Sequence, residues 1–481
     1  MYQAIVFSTS ILFTALCLFL FRKKSDASFR ILLKVLALVF CGVSFFRFML
    51  SDSFIYVING GWIDMGKGNE YIDTTDYGQL ILRWGFYLNC AVLPMVAFFD
   101  KSRLFKNLAS YVCLPFSILS AVFFNDFMVY FLSDTAPGLH LWPWFRYTYF
   151  ILELVLAISF PLLFQIREKY HFNVKDKWEW IRFFGLLPCF AFVMMPVYAP
   201  QAILGYSAQK LKVGDPFHII WIAVLLVFVM SLYYAFRFRS YQDRFMLCVF
   251  LTIVLFFHYD SLYLKGFIIK RLPVQLCNIA AYFYLICIPF RLKKMFHFCF
   301  LANIADALIA IIMADFSTGS FGFWNIHYIF EHTLVLAIPA LAMGLRIFPR
   351  LEKKSLLYMW VGFSLYFIFV FVTGTILNGY AKTPSDRVNF FYLFDLDFAF
   401  DKFPFLEFTE DFYFTFGRFV VYPVIVCIVY VAFQLFCVLF YALVKFLYKM
   451  EDDHLQLRLS GIQLYEELTG KKSLRPKHFI D

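Results

Sequence analysis

Apolar stretches long enough to cross a bilayer recur from one end of this chain to the other, and no other feature limits its fold so tightly. A spanning helix needs roughly 18 to 25 mainly apolar residues, whereas barrel strands are shorter and alternate. Segments of the first kind lie near 3–21, 31–57, 80–99, 109–132, 147–165, 180–200, 217–236, 245–264, 272–290, 296–314, 326–347, 355–378 and 418–446. They predict an all-α, polytopic transmembrane helix bundle of about thirteen spans. The composition agrees: 62% of the residues are hydrophobic and only 16% charged, more apolar surface than a soluble core could hide.

The charges mark the ends of these spans. Basic clusters at Arg22–Arg30, Lys101–Lys106, Arg167–Arg182, Arg237–Arg244, Arg291–Lys294, Arg346–Lys354 and from Lys445 onward fall in alternate loops. By the positive-inside rule those loops are cytoplasmic, so the N-terminus lies outside and the C-terminus inside. Lys265, Lys270 and Arg271 dissent. The net charge of +10 is therefore a topology signal, and no nucleic-acid partner is implied. The 68 Phe are spread through nearly every apolar segment as lipid-facing filler, and all 11 Cys fall inside apolar segments, so no disulfide framework is implied. The first segment lacks a basic leader and a cleavage site and reads as a retained span. The expected location is a bacterial cytoplasmic membrane.

The two halves share an order of weakly similar segments. LFRKKSDASFRILL (20–33) pairs with AFRFRSYQDRFMLC (235–248), RWGFYLNCAVLP (83–94) with KRLPVQLCNIAA (270–281), and FILELVLAISFP (150–161) with IFEHTLVLAIP (329–339). This predicts two parallel six-helix repeats plus one C-terminal helix. The corresponding division is 1–213, with a degenerate site; 214–380, with the complete one; an extracytoplasmic loop 381–417; a last span 418–450; and a cytoplasmic tail 451–481.

Chemistry-bearing residues concentrate in the second half. Cys277 and His332 each lie five or six residues into a span, roughly 8 to 9 Å below the outer boundary. Asp315 and Asn378 end neighbouring spans on the same side, where each could equally be a helix cap. A thiol among apolar groups is inert unless a base takes its proton, and His332 is the candidate base. Asp315 would fix its tautomer, and Asn378 or a backbone amide would serve an oxyanion. Gln275, His327 and Asn389 are secondary candidates. His327, Glu331 and His332 lack the spacing by which paired ligands share a helix face, so no metal or cofactor is expected. Glu153, seven residues inside a span of the first half, is the witness for a different class, a transporter or lipid-moving protein with a polar cavity. Its plainer reading is an ion pair with Arg146.

The segments LPVQLC (272–277), ANIADALIAIIMADF (302–316), FGFWNIHYIFEHTLVLAIPALAMGLR (321–346) and ILNGY (376–380) together resemble the YwaF-like family, to which the eukaryotic transmembrane protein 164 acyltransferases belong. The resemblance covers about residues 237–395. It implies a core of six or seven helices related to the androgen-induced-gene lipid hydrolases, with the family's Cys on Cys277, its His on His332, its Asp on Asp315 and its Asn on Asn378. In the acyltransferase branch the Cys carries the acyl chain as a thioester and a lysophospholipid is the acceptor. The implied function is an acyltransferase or lipid hydrolase acting on a membrane lipid or lysolipid. Two features depart from the pattern: Asn389 is followed by Phe390 where the family has Tyr, and family members usually carry a single core.

Overall fold

The structure is a computed structural model that describes residues 1–50, 77–99, 101–125, 143–194, 209–259, 272–316, 319–320, 322–381, 383, 387–394, 396, 400 and 404–469. The dissenting charges Lys265, Lys270 and Arg271 and the side chain of Arg146 lie outside the described residues.

Thirteen α-helices are described: α1 (Tyr2–Leu20), α2 (Asp26–Leu50), α3 (Tyr77–Phe98), α4 (Arg103–Val122, with a π-helical turn at Ala109–Cys113), α5 (Pro143–Glu168), α6 (Lys177–Met194), α7 (Pro216–Phe236), α8 (Tyr241–His258), α9 (Leu276–Cys287), α10 (Lys293–Ile312), α11 (Phe323–Gly344), α12 (Lys353–Tyr380) and α13 (Pro423–Thr469). The structure is 79% helical, and among the described residues ten helices are long and apolar enough to cross a membrane. It is an all-α, multi-pass membrane protein. The described strands are a three-residue hairpin, β1 (Phe414–Phe416) and β2 (Phe419–Val421), paired Phe414 to Val421 and turning at Gly417, whose φ is +59°.

The helices form two compact units. The first comprises Met1–Phe217, Val249–Ile268 and Asp315–Glu331; the second comprises His218–Cys248, Ile269–Ala314 and His332–Asp481.

In the first unit α5 is the hub. Its Leu154–Phe160 stretch is buried, and α1, α2 and α4 pack against it. Arg167, near its C-terminus, donates to the carbonyls of Phe21 (2.9 Å) and Lys24 (3.1 Å), which closes the last turn of α1. At the same end Arg103 pairs with Glu179 and Lys106 with Glu168. The Tyr170 hydroxyl bonds Asn107 at 2.6 Å, and burial pushes its pKa up to about 12.

In the second unit α10 is central. Every residue from Phe296 to Ala305 is buried, and Ala302, Ala305 and Ala307 let α9 and α12 approach closely. The C-terminal end of α11 is locked to α13 by charge. Arg350 donates to the Met343 carbonyl (3.0 Å), Glu451 (2.7 Å) and Asp452 (3.1 Å), and its guanidinium lies 3.9 Å from the Tyr448 ring centre. Arg346 reaches Asp452 at 2.6 Å.

Three helix ends share one device. After α5, α9 and α11 the chain passes through a left-handed residue, at Lys169 (φ 49°), Arg291 (φ 55°) and Arg346 (φ 57°). The next amide bonds back to a carbonyl five residues earlier, as in Tyr170 to Gln165 (3.0 Å), Leu292 to Cys287 (2.9 Å) and Ile347 to Ala342 (2.9 Å). This is the Schellman closure, with a basic residue in the position usually held by glycine.

Arg350→Ala removes three charge-assisted bonds at once. It is expected to cost about 2 kcal/mol, read as a lower unfolding midpoint in detergent, with Arg350→Lys recovering only part because it cannot bridge both acids.

Candidate functional site

The expected span 272–290 resolves into something shorter. Its helix begins only at Leu276, after Pro273 and an extended Gln275 (ψ 150°). Twelve residues extend about 18 Å, well short of the roughly 30 Å hydrocarbon core. The N-terminus of α9 therefore opens within the bundle, and Cys277 is its second residue.

Non-helical backbone at such depth must find bonds inside the protein. The Tyr366 hydroxyl of α12 donates to the Val274 carbonyl (2.9 Å), and Asn303 of α10 donates to the Leu276 carbonyl (2.7 Å). Gln275 donates to the Asn389 carbonyl (2.9 Å) and accepts from the Phe391 amide (2.7 Å). The turn before Cys277 is thus held by α10, α12 and the segment 388–394. That segment is buried in its own right: Val388, Phe390, Phe391 and Leu393 are inaccessible, and Phe391 takes a left-handed φ of 51° with its ring against Phe363, Tyr366, Phe367 and Phe433.

Asn378 holds this segment in place. Its amide donates to the Val388 carbonyl (3.0 Å) and accepts from the Val388 amide (2.7 Å), while the Asn389 side chain accepts from the Phe394 amide (3.1 Å). The sequence pointed to Asn378 as an oxyanion donor; in the structure its side chain closes this loop through its oxygen and one amide hydrogen.

Cys277 is half-buried and His332 is 4% exposed, and the Cys277 Sγ lies within 4.8 Å of a His332 ring nitrogen. Beside His332 on α11, Thr333 accepts from the Trp221 indole (3.0 Å), and one turn later the Val335 carbonyl accepts from Tyr284 (2.9 Å). These bonds fix how α11 presents His332. Asp306, half-buried one turn after Asn303 on α10, is an ionisable residue inside a span that sequence reasoning passed over.

The remaining candidates belong to the first unit. Asp315 is exposed. His327 is buried and meets the Glu331 carboxylate at 3.3 Å; Glu331 also accepts from the Tyr259 hydroxyl (2.7 Å), and the His327 ring stacks on His258 at 4.5 Å. Glu153 is 2% exposed and accepts from the Ser44 hydroxyl at 3.0 Å.

Residues 213–441, just under half of the chain, match the model of the TMEM164 family. The match contains the whole stretch 237–395 on which the resemblance rests, and it carries neither the wider YwaF-like label nor any counterpart of the N-terminal segment. No curated protein and no solved structure matches the chain.

Asn378→Ala loses both bonds to Val388, at about 1 kcal/mol each. It is expected to free the 388–394 segment and speed maleimide modification of Cys277, followed by peptide mass mapping; an unchanged rate would mean that the segment does not guard the thiol.

Proposed function

We propose that this chain is an integral membrane acyltransferase or lipid hydrolase with Cys277 as nucleophile and His332 as its base. The observation that carries the reading is the meeting of a half-buried thiol and a buried imidazole at the N-terminus of a helix that starts inside the bundle. Amides in the first turn of a helix have no intrahelical acceptor, and the helix end favours negative charge. Both properties assist a thiolate and an acyl oxyanion.

In the first step His332 takes the thiol proton as Cys277 Sγ attacks the acyl carbonyl. The ester C–O bond breaks, the leaving alkoxide takes that proton back from the imidazolium, and the acyl group remains as a thioester. An acceptor hydroxyl, of a lysolipid or of water, then loses its proton to His332 and attacks the thioester. The C–S bond breaks and the sulfur recovers the proton. Gln275, Asn303 and Tyr366 hold the backbone that leads into Cys277.

One experiment on the reconstituted chain tests this reading. A lipid acyl-thioester or fluorophosphonate probe is expected to label wild type, to leave Cys277→Ala unlabelled, and to react about a hundredfold more slowly with His332→Ala. Labelling that survives Cys277→Ala defeats the covalent mechanism.

A further inference from the structure

A groove of about 700 Å³ runs along the second unit between α9, α10 and α12. Its walls are Ile279 and Phe283 of α9, Phe298 of α10, and Val361, Leu365 and Phe369 of α12. It is not an extension of the Cys277 site. At about 100° per residue, Ile279 and Phe283 lie roughly 200° and 240° around α9 from Cys277, so the groove follows the opposite face. The ring of Tyr366 lines its inner end while the hydroxyl of the same residue holds Val274.

Two properties define what the groove accommodates. Its α12 wall runs from Leu357 to Phe369, an axial rise of about 18 Å, close to half of the ~30 Å hydrocarbon core and thus to the depth of one leaflet. Its mouth is cationic. Lys294 belongs to the lining and is exposed, with its ammonium 5.9 Å from the Tyr358 ring. Lys293, Lys353 and Lys354 lie at the same helix ends, and the acid beside them, Glu352, is held by Lys293 at 2.7 Å. An apolar trough one leaflet deep with excess positive charge at the headgroup level is complementary to an anionic lipid.

We infer that this groove binds one acyl chain of an anionic phospholipid from the surrounding leaflet, with the lipid phosphate at Lys294, as a site separate from the Cys277 centre. The bound lipid braces α9 against α12 from the face opposite the reacting thiol.

The test uses the full chain in phosphatidylcholine vesicles doped with phosphatidylglycerol carrying a photoactivatable acyl chain. Crosslinks are expected on the α12 peptide spanning Leu357–Phe369, competed by unlabelled phosphatidylglycerol and not by extra phosphatidylcholine. Lys294→Gln is expected to lower labelling about fivefold, the equivalent of ~1 kcal/mol for one lysine near a lipid surface. Leu365→Trp fills the trough and lowers it as well. Equal labelling of wild type and Lys294→Glu overturns the inference, as does labelling spread evenly over other lipid-facing helices. A disulfide-linked dimer through Leu365→Cys would also overturn it, because a second copy would then occupy the groove. Cys277→Ser is expected to label like wild type, so loss of the acyl-transfer reading leaves this result standing.

Discussion

The structure around Cys277 depends on one constraint: in a water-free interior, a helix that begins partway across must have its preceding backbone bonded by the protein. The turn 272–275 meets it with side chains from three directions, Tyr366, Asn303 and the Gln275 amide working against 388–391. Each of these bonds also holds the backbone that leads directly into Cys277, so loosening the turn would uncover carbonyls that these side chains now satisfy. This explains why so much polar side-chain chemistry surrounds a short helix in a chain that is otherwise overwhelmingly apolar.

The same constraint separates what the sequence discloses from what it conceals. Long apolar runs imply helices because any other backbone would leave its polar groups unsatisfied in lipid, and the all-α bundle follows from that alone. The pairing of Cys277 with His332 is legible because equal depth on two spans of the same direction is a matter of counting residues. The break before Leu276 is not legible from hydropathy, since LPVQLC is as apolar as a helix; only Pro273 hints at it. The roles of Gln275, Asn378 and Asn389 are hidden for a different reason. Each bonds the backbone of a distant residue, and backbone groups leave no mark in the residue code.

The segment 388–394 shows how a loop becomes interior. Its aromatic residues resemble an interfacial lid when read alone, but Phe390 and Phe391 are buried and the left-handed turn at Phe391 is upheld by rings from α12 and α13. Such a backbone conformation in a bulky residue persists only where its surroundings dictate it. The stacking of Phe363, Tyr366 and Phe433 around it makes the aromatic excess of this region structural, whatever its origin elsewhere in the chain.

The basic residues that end α5, α9 and α11 carry a consequence for how this protein can change. A side chain in the left-handed region is disfavoured by about 1–2 kcal/mol, so glycine at Lys169, Arg291 or Arg346 would relax the backbone. Yet each of these positions also lies in one of the basic clusters that separate the apolar segments. One residue thus both closes a helix and charges the loop that follows it, so a glycine that eased the backbone would also strip a positive charge from that loop.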